Sequence, residues 1–345
     1  MRKTSPNLIS FLLAFIFLLP LTGCGQPTTS TSTSQPSNIQ SSATYPLTIT
    51  NYDSQEHLVS YTYQKTPERV VVTHPGATEL LLELGLQDRI LSTVAPYGPP
   101  LDRLANQYRA LTIMKAQYAP SQEEILEMQP HMIISWVHQF TPHGIGDVKT
   151  WNERGVATFV MPSTLTKADP TLETVVYGAI SDLGKIFNIQ GKTDPYIQQL
   201  KDRVTAIEKS LKDVEQKKTV IVLQDHSNGT FSLYDTHYLI SHMIHMAGGK
   251  NLCETPASFV GAEKVLAFDP DFIIFVTSNG NDSTKDLTDE EAVHNLKAIK
   301  ELRSMRAIQE GNIINLPFFT VNNGGIRTID AIEKIARTLY PERFQ

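Results

Sequence analysis

Short runs of β-branched residues alternate with helix-like stretches along this chain, and the alternation occurs twice. Val70-Val71-Val72, Ile90–Val94, Met132–Ile134 and Thr158–Val160 read as strands of a first set. Between them, Ala77–Leu84 and Ser121–Met128 carry apolar residues at helical spacing, the second opened by Ser121 as N-cap with Glu124 three residues on. The grammar restarts with strands at Thr219–Leu223, Phe272–Val276 and Asn312–Leu316, and with helices at Thr236–Met246, Gly261–Ala267 and Thr328–Leu339. Unbroken β-branched runs separated by helices are what a parallel sheet covered on both faces requires. Between the sets, Ile197, Leu200, Val204, Ile207, Leu211 and Val214 fall three and four apart. That spacing predicts one helix of about twenty residues, about 30 Å long. It serves either as a strut between two lobes or as a surface helix of one lobe, and the pattern fits both.

The chain begins with a different kind of segment. Arg2 and Lys3 precede an apolar run from Leu8 to Leu19, too short to span a bilayer comfortably, as in a cleaved export signal. Leu21-Thr22-Gly23-Cys24 resembles the lipobox of bacterial lipoproteins, a likeness that implies lipid attachment at Cys24 and a signal peptide over residues 1–23. Residues 24–44 are rich in Ser, Thr, Pro and Gln and nearly free of apolar side chains, a flexible tether with a reach of roughly 20–30 Å. The folded part is expected from Tyr45 onward, long enough for two lobes. Lys plus Arg number 30 against 36 Asp plus Glu, and losing Arg2 and Lys3 with the leader moves the net charge from −6 to −8. No basic run reverses that sign, which argues against nucleic acid. Cys253 is the only cysteine besides Cys24, so packing must stabilise the body.

Four segments in order carry a family resemblance: Thr66–Ile90 (Thr-Pro-Glu-Arg-Val-Val-Val-Thr-His-Pro-Gly-Ala-Thr-Glu and onward), Ser121–Ile134, Ala247–Leu252 and Glu263–Ile274. They resemble the iron-siderophore and cobalamin substrate-binding proteins of bacterial ABC importers, with Pro130-His131 where the family usually has Pro-Asp. The resemblance implies an α/β fold of two Rossmann-like lobes joined by one long α-helix, with the ligand cleft between them. The corresponding division is 45–188 for the first lobe, 189–216 for the linking helix and 217–345 for the second lobe. It also implies docking to an ABC permease through one glutamate on each lobe, the matching positions being Glu123 and Glu263. Each opens an expected helix, where the macrodipole alone would favour a carboxylate. Glu124 competes with Glu123 for the role.

In open α/β sheets ligands sit beyond the carboxyl ends of the strands, so the residues after each run are the ones to read. They are His74, Tyr97, Trp136, His138 and His226, then Phe318, with Arg327 opening the last helix. Each has a plain structural alternative, since a histidine after a strand is commonly just hydrogen-bonded and an aromatic commonly packs. Together, aromatic walls suit a bulky chelate, and His74, His138 and His226 are candidate metal ligands. No convincing carboxylate completes a bare-ion set, Asp225 and Asp282 being the only candidates. His242 and His245 read as structural or solvent-facing, and Cys253 as a small buried hydrophobe.

The sequence reading is therefore a monomeric extracytoplasmic binding protein, held by lipid alone to the outer face of the plasma membrane. It carries no cofactor of its own and takes a metal chelate, foremost a ferric siderophore, to an ABC permease. Haem, cobalamin or a histidine-ligated transition-metal complex are the alternative cargoes. A metal-dependent hydrolase is the rival class, but His-Glu-x-x-His, Gly-x-Ser-x-Gly, P-loop and Gly-x-Gly-x-x-Gly motifs are absent, and an enzyme is not expected.

Overall fold

The computed structural model describes residues 44–116, 118–167, 170–278, 285–321 and 323–344. The leader, Cys24, nearly all of the tether and Asp282 lie outside them. Among the described residues no helix is long and apolar enough to cross a membrane.

An antiparallel hairpin comes first, β1 (Leu47–Tyr52) against β2 (Leu58–Tyr63). It was not among the expected elements, although its Leu-Thr-Ile-Thr alternation has the strand period. Ile49 points to the core, while hydroxyls pair across the outer face, Thr48 with Thr62 and Thr50 with Ser60, both at 2.9 Å. Asn51 brackets the Val160 backbone with its amide and fixes the hairpin to the first sheet.

That sheet contains β3 (Val70–Val72), β4 (Ile90–Thr93), β5 (Met132–Ser135) and β6 (Ala157–Val160), all parallel, in the order β4-β3-β5-β6. Every residue of β3, β5 and β6 is buried, which explains why the strands read as continuous apolar runs. The chain leaves β3 toward β4 and leaves β5 toward β6 on the other side. Loops after β3 and β5 therefore diverge and open a crevice.

The second sheet is mixed. It comprises β7 (Thr219–Asp225), β8 (Phe231–Leu233), β9 (Lys250–Asn251), β10 (Ala257–Val260), β11 (Phe272–Thr277) and β12 (Ile313–Pro317). Here β9, β7, β11 and β12 are parallel, while β8 pairs antiparallel with β7 and β10 pairs antiparallel with β8 at the edge. The turn from Asp225 to Thr230 causes the reversal: Ser227 and Gly229 take positive φ (58° and 80°), and the Asn228 side chain accepts from the Thr230 N–H. Asp225 and His226 thus belong to a hairpin rather than to a loop entering a helix.

The linking helix runs from Gln190 to Leu211, starting earlier than the apolar spacing shows and ending before Val214. It buries Leu200, Val204, Ile207 and Leu211, and packs against helices of both halves, Gly178–Ile186 before it and Leu239–Met246 and Arg327–Leu339 after it. Any side chain at Gly184 would collide with Thr193 of the link. Arg203 on the link reaches Asp330 at 2.6 Å and Glu333 at 2.8 Å on the last helix. One apolar core consequently runs from Val70, Met132 and Phe159 through Leu200 and Val204 to Val222, Ile274 and Ile332.

A second connection ties the halves on the cleft side. Arg327 Nη2 and Nε donate to both oxygens of Glu79, at 2.6 and 2.8 Å, and Nη2 also donates to the Pro99 carbonyl at 2.6 Å. Glu79 lies on the Pro75–Glu83 helix of the first half and is fully buried; Arg327 opens the last helix and is 7% exposed. Beside the pair the backbones come too close for a Cβ, at Gly76 against Asn323 and at Gly324 against Ser163. Removing one partner of a buried ion pair strands the other charge. Arg327→Ala is expected to lower stability by about 3–5 kcal/mol in urea unfolding, and the double variant Glu79→Leu/Arg327→Met to recover most of it; a loss under 1 kcal/mol in the single variant would show that the pair contributes little.

Candidate functional site

Hydroxyl groups close the carboxyl ends of the first sheet. Thr73 Oγ1 donates toward Ser135 Oγ and Gln139 Oε1, both at 2.6 Å, and the Gln139 amide donates to the Tyr118 carbonyl at 3.0 Å. Thr78 and Thr93 hydroxyls meet at 2.6 Å. All four hydroxyl residues are buried, so the bases of the cleft loops are tied to one another in a low-dielectric environment. The signal was present as a Thr or Ser ending each run.

On this base stands a contiguous aromatic wall. The His74 and Trp136 rings lie 4.3 Å apart, Trp136 and His138 5.8 Å, and Tyr97 and Trp136 6.2 Å. Tyr97 continues the wall into the second half through Phe318 at 6.5 Å and Phe319 at 6.4 Å. The Arg327 guanidinium lies 4.6 Å over the Phe319 ring. Five residues singled out from the sequence, His74, Tyr97, Trp136, His138 and Phe318, are thereby brought together. Phe319, beside Phe318 after the same strand, joins the wall to the ion pair.

The other two are elsewhere. His226 sits on the β7–β8 hairpin, its Nε2 2.8 Å from Ser232 Oγ and its ring stacked on Phe259 at 4.4 Å. Arg327 is engaged with Glu79 and Pro99 behind the wall, with its hydrogen-bonding fork facing Glu79 rather than the cleft. The first placement follows from the tight turn after β7, the second from a pairing 248 residues apart that local spacing does not carry.

His74 is wholly enclosed. Its Nδ1 accepts from the Ala77 N–H at 3.0 Å and caps the Pro75–Glu83 helix, so the neutral ring carries its hydrogen on Nε2, which is buried without a partner. The Trp136 indole N–H is likewise buried and unpartnered. Burial pushes the His74 pKa down to about 3, with His138 beside it acting in the same direction. Burial also lowers that of the half-buried His138, and raises that of the Tyr97 phenol. The wall is therefore uncharged near neutral pH.

A pocket of about 580 Å³, open to solvent, adjoins this wall. Trp136, His138 and the Ser163–Thr166 loop line one side, with His237, Tyr238 and Val321 facing them from the second half. His237 and Tyr238 were missed because they follow β8, a strand the sequence reading did not expect. Among the described residues no three His, Cys, Asp or Glu side chains converge to hold a metal ion. Glu123 and Glu263 are exposed in the first turns of the short helices Gln122–Glu127 and Ala262–Leu266. Glu124 closes the capping box with Ser121, leaving Glu123 outside it.

Comparison with known proteins follows the same outline. Residues 70–319 match the family described as periplasmic binding protein. The chain is 21% identical to the uncharacterized ABC transporter substrate-binding lipoprotein YvrC of Bacillus subtilis strain 168, over 100% of both chains. Among solved structures, a periplasmic binding protein from Veillonella parvula superposes with a TM-score of 0.72 at 23% identity, covering 85% of this chain and 98% of that one. An ABC-type Fe3+-hydroxamate transport system protein from Saccharomonospora viridis superposes with a TM-score of 0.67 at 22% identity, covering 86% and 99%. These last two likenesses establish the two-lobed α/β fold.

The His74 environment has a consequence in acid. Between pH 6.5 and about 3 the unfolded chain binds a proton on this ring that the folded chain refuses. The stabilisation is complete above 6.5 and declines as pH falls through that window, by about 2 kcal/mol between pH 7 and pH 5. Urea midpoints at the two pH values should therefore differ less in His74→Asn, which keeps a cap acceptor but no titrating ring. An identical pH slope in both proteins would contradict the assignment.

Proposed function

The chain belongs to the periplasmic binding protein family, and from that premise we propose that it is the extracytoplasmic solute-binding component of an ABC importer, with a metal chelate, foremost a ferric siderophore, as its cargo. One observation carries the cargo class: an uncharged aromatic wall spanning both lobes, beside a pocket open to solvent. Aromatic faces desolvate a bulky, partly apolar ligand at little entropic cost, since few rotors have to be fixed. A bare ion would need three or more converging donors, and none converge among the described residues. A structural relative described as part of an Fe3+-hydroxamate transport system supports the same reading. In this reading the lobes are 45–188 and 217–345 with 189–216 between them, and Cys24 with the tether holds a monomeric body beside its permease at the outer face of the membrane. The lipoprotein designation of the Bacillus subtilis relative supports that location.

Docking is read from a repeat. Gln122–Ile134 and Ala262–Ile274 share one pattern: an exposed Glu (123, 263), a buried Ile125 or Val265, an exposed Leu (126, 266), a Met or Phe, a buried Pro (130, 270), then Met-Ile-Ile or Phe-Ile-Ile opening β5 or β11. Leu126 and Leu266 are equally exposed, at 41% each. Neither Glu123 nor Glu263 has a hydrogen-bond or ion-pair partner among the described residues, so each carboxylate is available to a cation of the permease. One surface displayed on two lobes fits a partner that presents the matching basic contact twice.

Titration with a ferric tris-hydroxamate, haem and cobalamin, followed by tryptophan fluorescence, tests the cargo. A ferric siderophore is expected to quench saturably, with Trp136→Ala weakening binding about tenfold; saturable binding of none of the three would defeat the chelate reading. For docking, Glu123→Arg with Glu263→Arg should abolish uptake in cells while ligand affinity stays within about twofold. Uptake at the unmodified rate would remove the docking assignment.

A further inference from the structure

We propose that Tyr118 and Phe259 are the apolar anchors through which the two lobes seat on the ABC permease, each ring packing into an apolar cup beside the basic side chain that meets Glu123 or Glu263. This rests on the docking reading above and extends it from charge to contact, since it states what the permease must present besides two cations.

Seven large apolar or aromatic side chains stand exposed among the described residues, and four of them, Tyr118, Leu126, Phe259 and Leu266, flank the two glutamates. Tyr118 precedes Glu123 by five residues and Phe259 precedes Glu263 by four, while a leucine follows each glutamate by three. Both rings are largely in water, at 64% and 69% exposure. A single exposed apolar side chain is ordinary, but the series aromatic, carboxylate, leucine displayed on both lobes makes a repeated surface. Aromatic side chains carry much of the energy of protein interfaces, because they bury a large area with few rotors to fix.

The backbone holds each ring in place. β10 is the edge strand of the second sheet, and its register with β8 slips between Ala257 and Val260, so that a bulge presents Phe259. Phe259 takes a φ of 55°, a conformation natural to glycine and costly for a bulky side chain. Its N–H donates to Ser232 Oγ at 3.4 Å, the same oxygen lies 2.8 Å from His226 Nε2, and the His226 ring stacks on the phenyl ring with centroids 4.4 Å apart. Strain supported in this way, for a ring that faces water, does little for the core and suits a contact made outside the chain. Gly261 lets the Glu263 carboxylate fold back over its Cα, where any Cβ would collide, so the charge lies against the segment that carries the ring. In the first lobe the Tyr118 carbonyl accepts from the Gln139 amide at 3.0 Å, and Gln139 is itself tied to Thr73 and Ser135. An arginine of the permease suits both places, since its fork pairs with a carboxylate while its plane stacks on an aromatic face. The carboxylates oppose an anionic lipid surface as the occupant.

Photo-crosslinking in the cells that make the protein tests this. Benzoylphenylalanine is placed at position 118, at 259 and, as a control, at 58 on the β1–β2 hairpin, where Leu58 is also 69% exposed. Adducts from 118 and 259 should contain the transmembrane subunit of an ABC permease, identified by mass spectrometry, and position 58 should give none. With that permease held in nanodiscs, Tyr118→Ser and Phe259→Gly should each weaken binding about tenfold. Glycine accepts the positive φ, so Phe259→Gly should keep its urea midpoint; a lowered midpoint would assign the ring to the fold and overturn the inference. Adducts joining two copies of this chain, adducts without a permease subunit, or equal yields at all three positions would also overturn it, as would unchanged permease binding by either variant. If Glu123→Arg with Glu263→Arg weakens binding where the aromatic variants do not, the charge docking stands without the anchors. If the aromatic variants weaken it and the charge-reversed protein does not, the anchors stand without the charges.

Discussion

The bidentate contact between Arg327 and Glu79 is the constraint on which the cleft depends. Both side chains are removed from water, and the desolvation of each is offset by short charge-assisted bonds to the other and by the Pro99 carbonyl. The two residues open or occupy helices from different halves of the chain, so the pair sets where one half sits against the other. Its surroundings leave little freedom: Gly76 and Gly324 allow backbones to touch where any Cβ would collide. On the opposite side the linking helix packs against both halves and is itself held by Arg203 to Asp330 and Glu333. The ion pair and the linking helix together hold the two halves to each other.

That attachment shapes how the site would work. Phe319 lies under the Arg327 guanidinium, Tyr97 packs on Phe319, Trp136 on Tyr97 and His74 on Trp136. The wall is therefore an extension of the ion pair, assembled before a ligand arrives. Preorganised aromatic surface loses little entropy on binding, so affinity can come from contact without a large closing motion. Burial keeps the wall neutral by lowering the pKa of His74 and His138 and raising that of Tyr97. Across the pocket, His237 is held by the buried Asp235, which accepts from its backbone N–H at 2.8 Å.

Much of this was readable from local pattern. The parallel strands appear where β-branched runs predicted them, because a strand buried on both faces can tolerate little else. The capping box at Ser121 and Glu124 formed as its spacing implied. The β1–β2 hairpin was passed over although its alternation was visible, and with it the anchoring role of Asn51. His226 was misplaced for a specific reason: positive φ at Ser227 and Gly229 reverses the chain after β7, which turns a strand-to-helix loop into a hairpin. The same reversal creates β8, and the segment that follows β8 delivers His237 and Tyr238 to the pocket.

The sequence by itself determined the parallel strands and most helices of both sets, their order, a long helix between the sets, and the aromatic and histidine character of the loops after the strands. These are properties of neighbours within one turn or one strand, and hydrophobic period and capping chemistry encode them directly. Only the tertiary structure decided which loop residues meet. Arg327 was read as a cleft residue and instead pairs with a carboxylate 248 positions away, while His237 drew no notice and faces the pocket. A contact of that separation depends on how two sheets are set against a shared helix, and no spacing along the chain records that geometry.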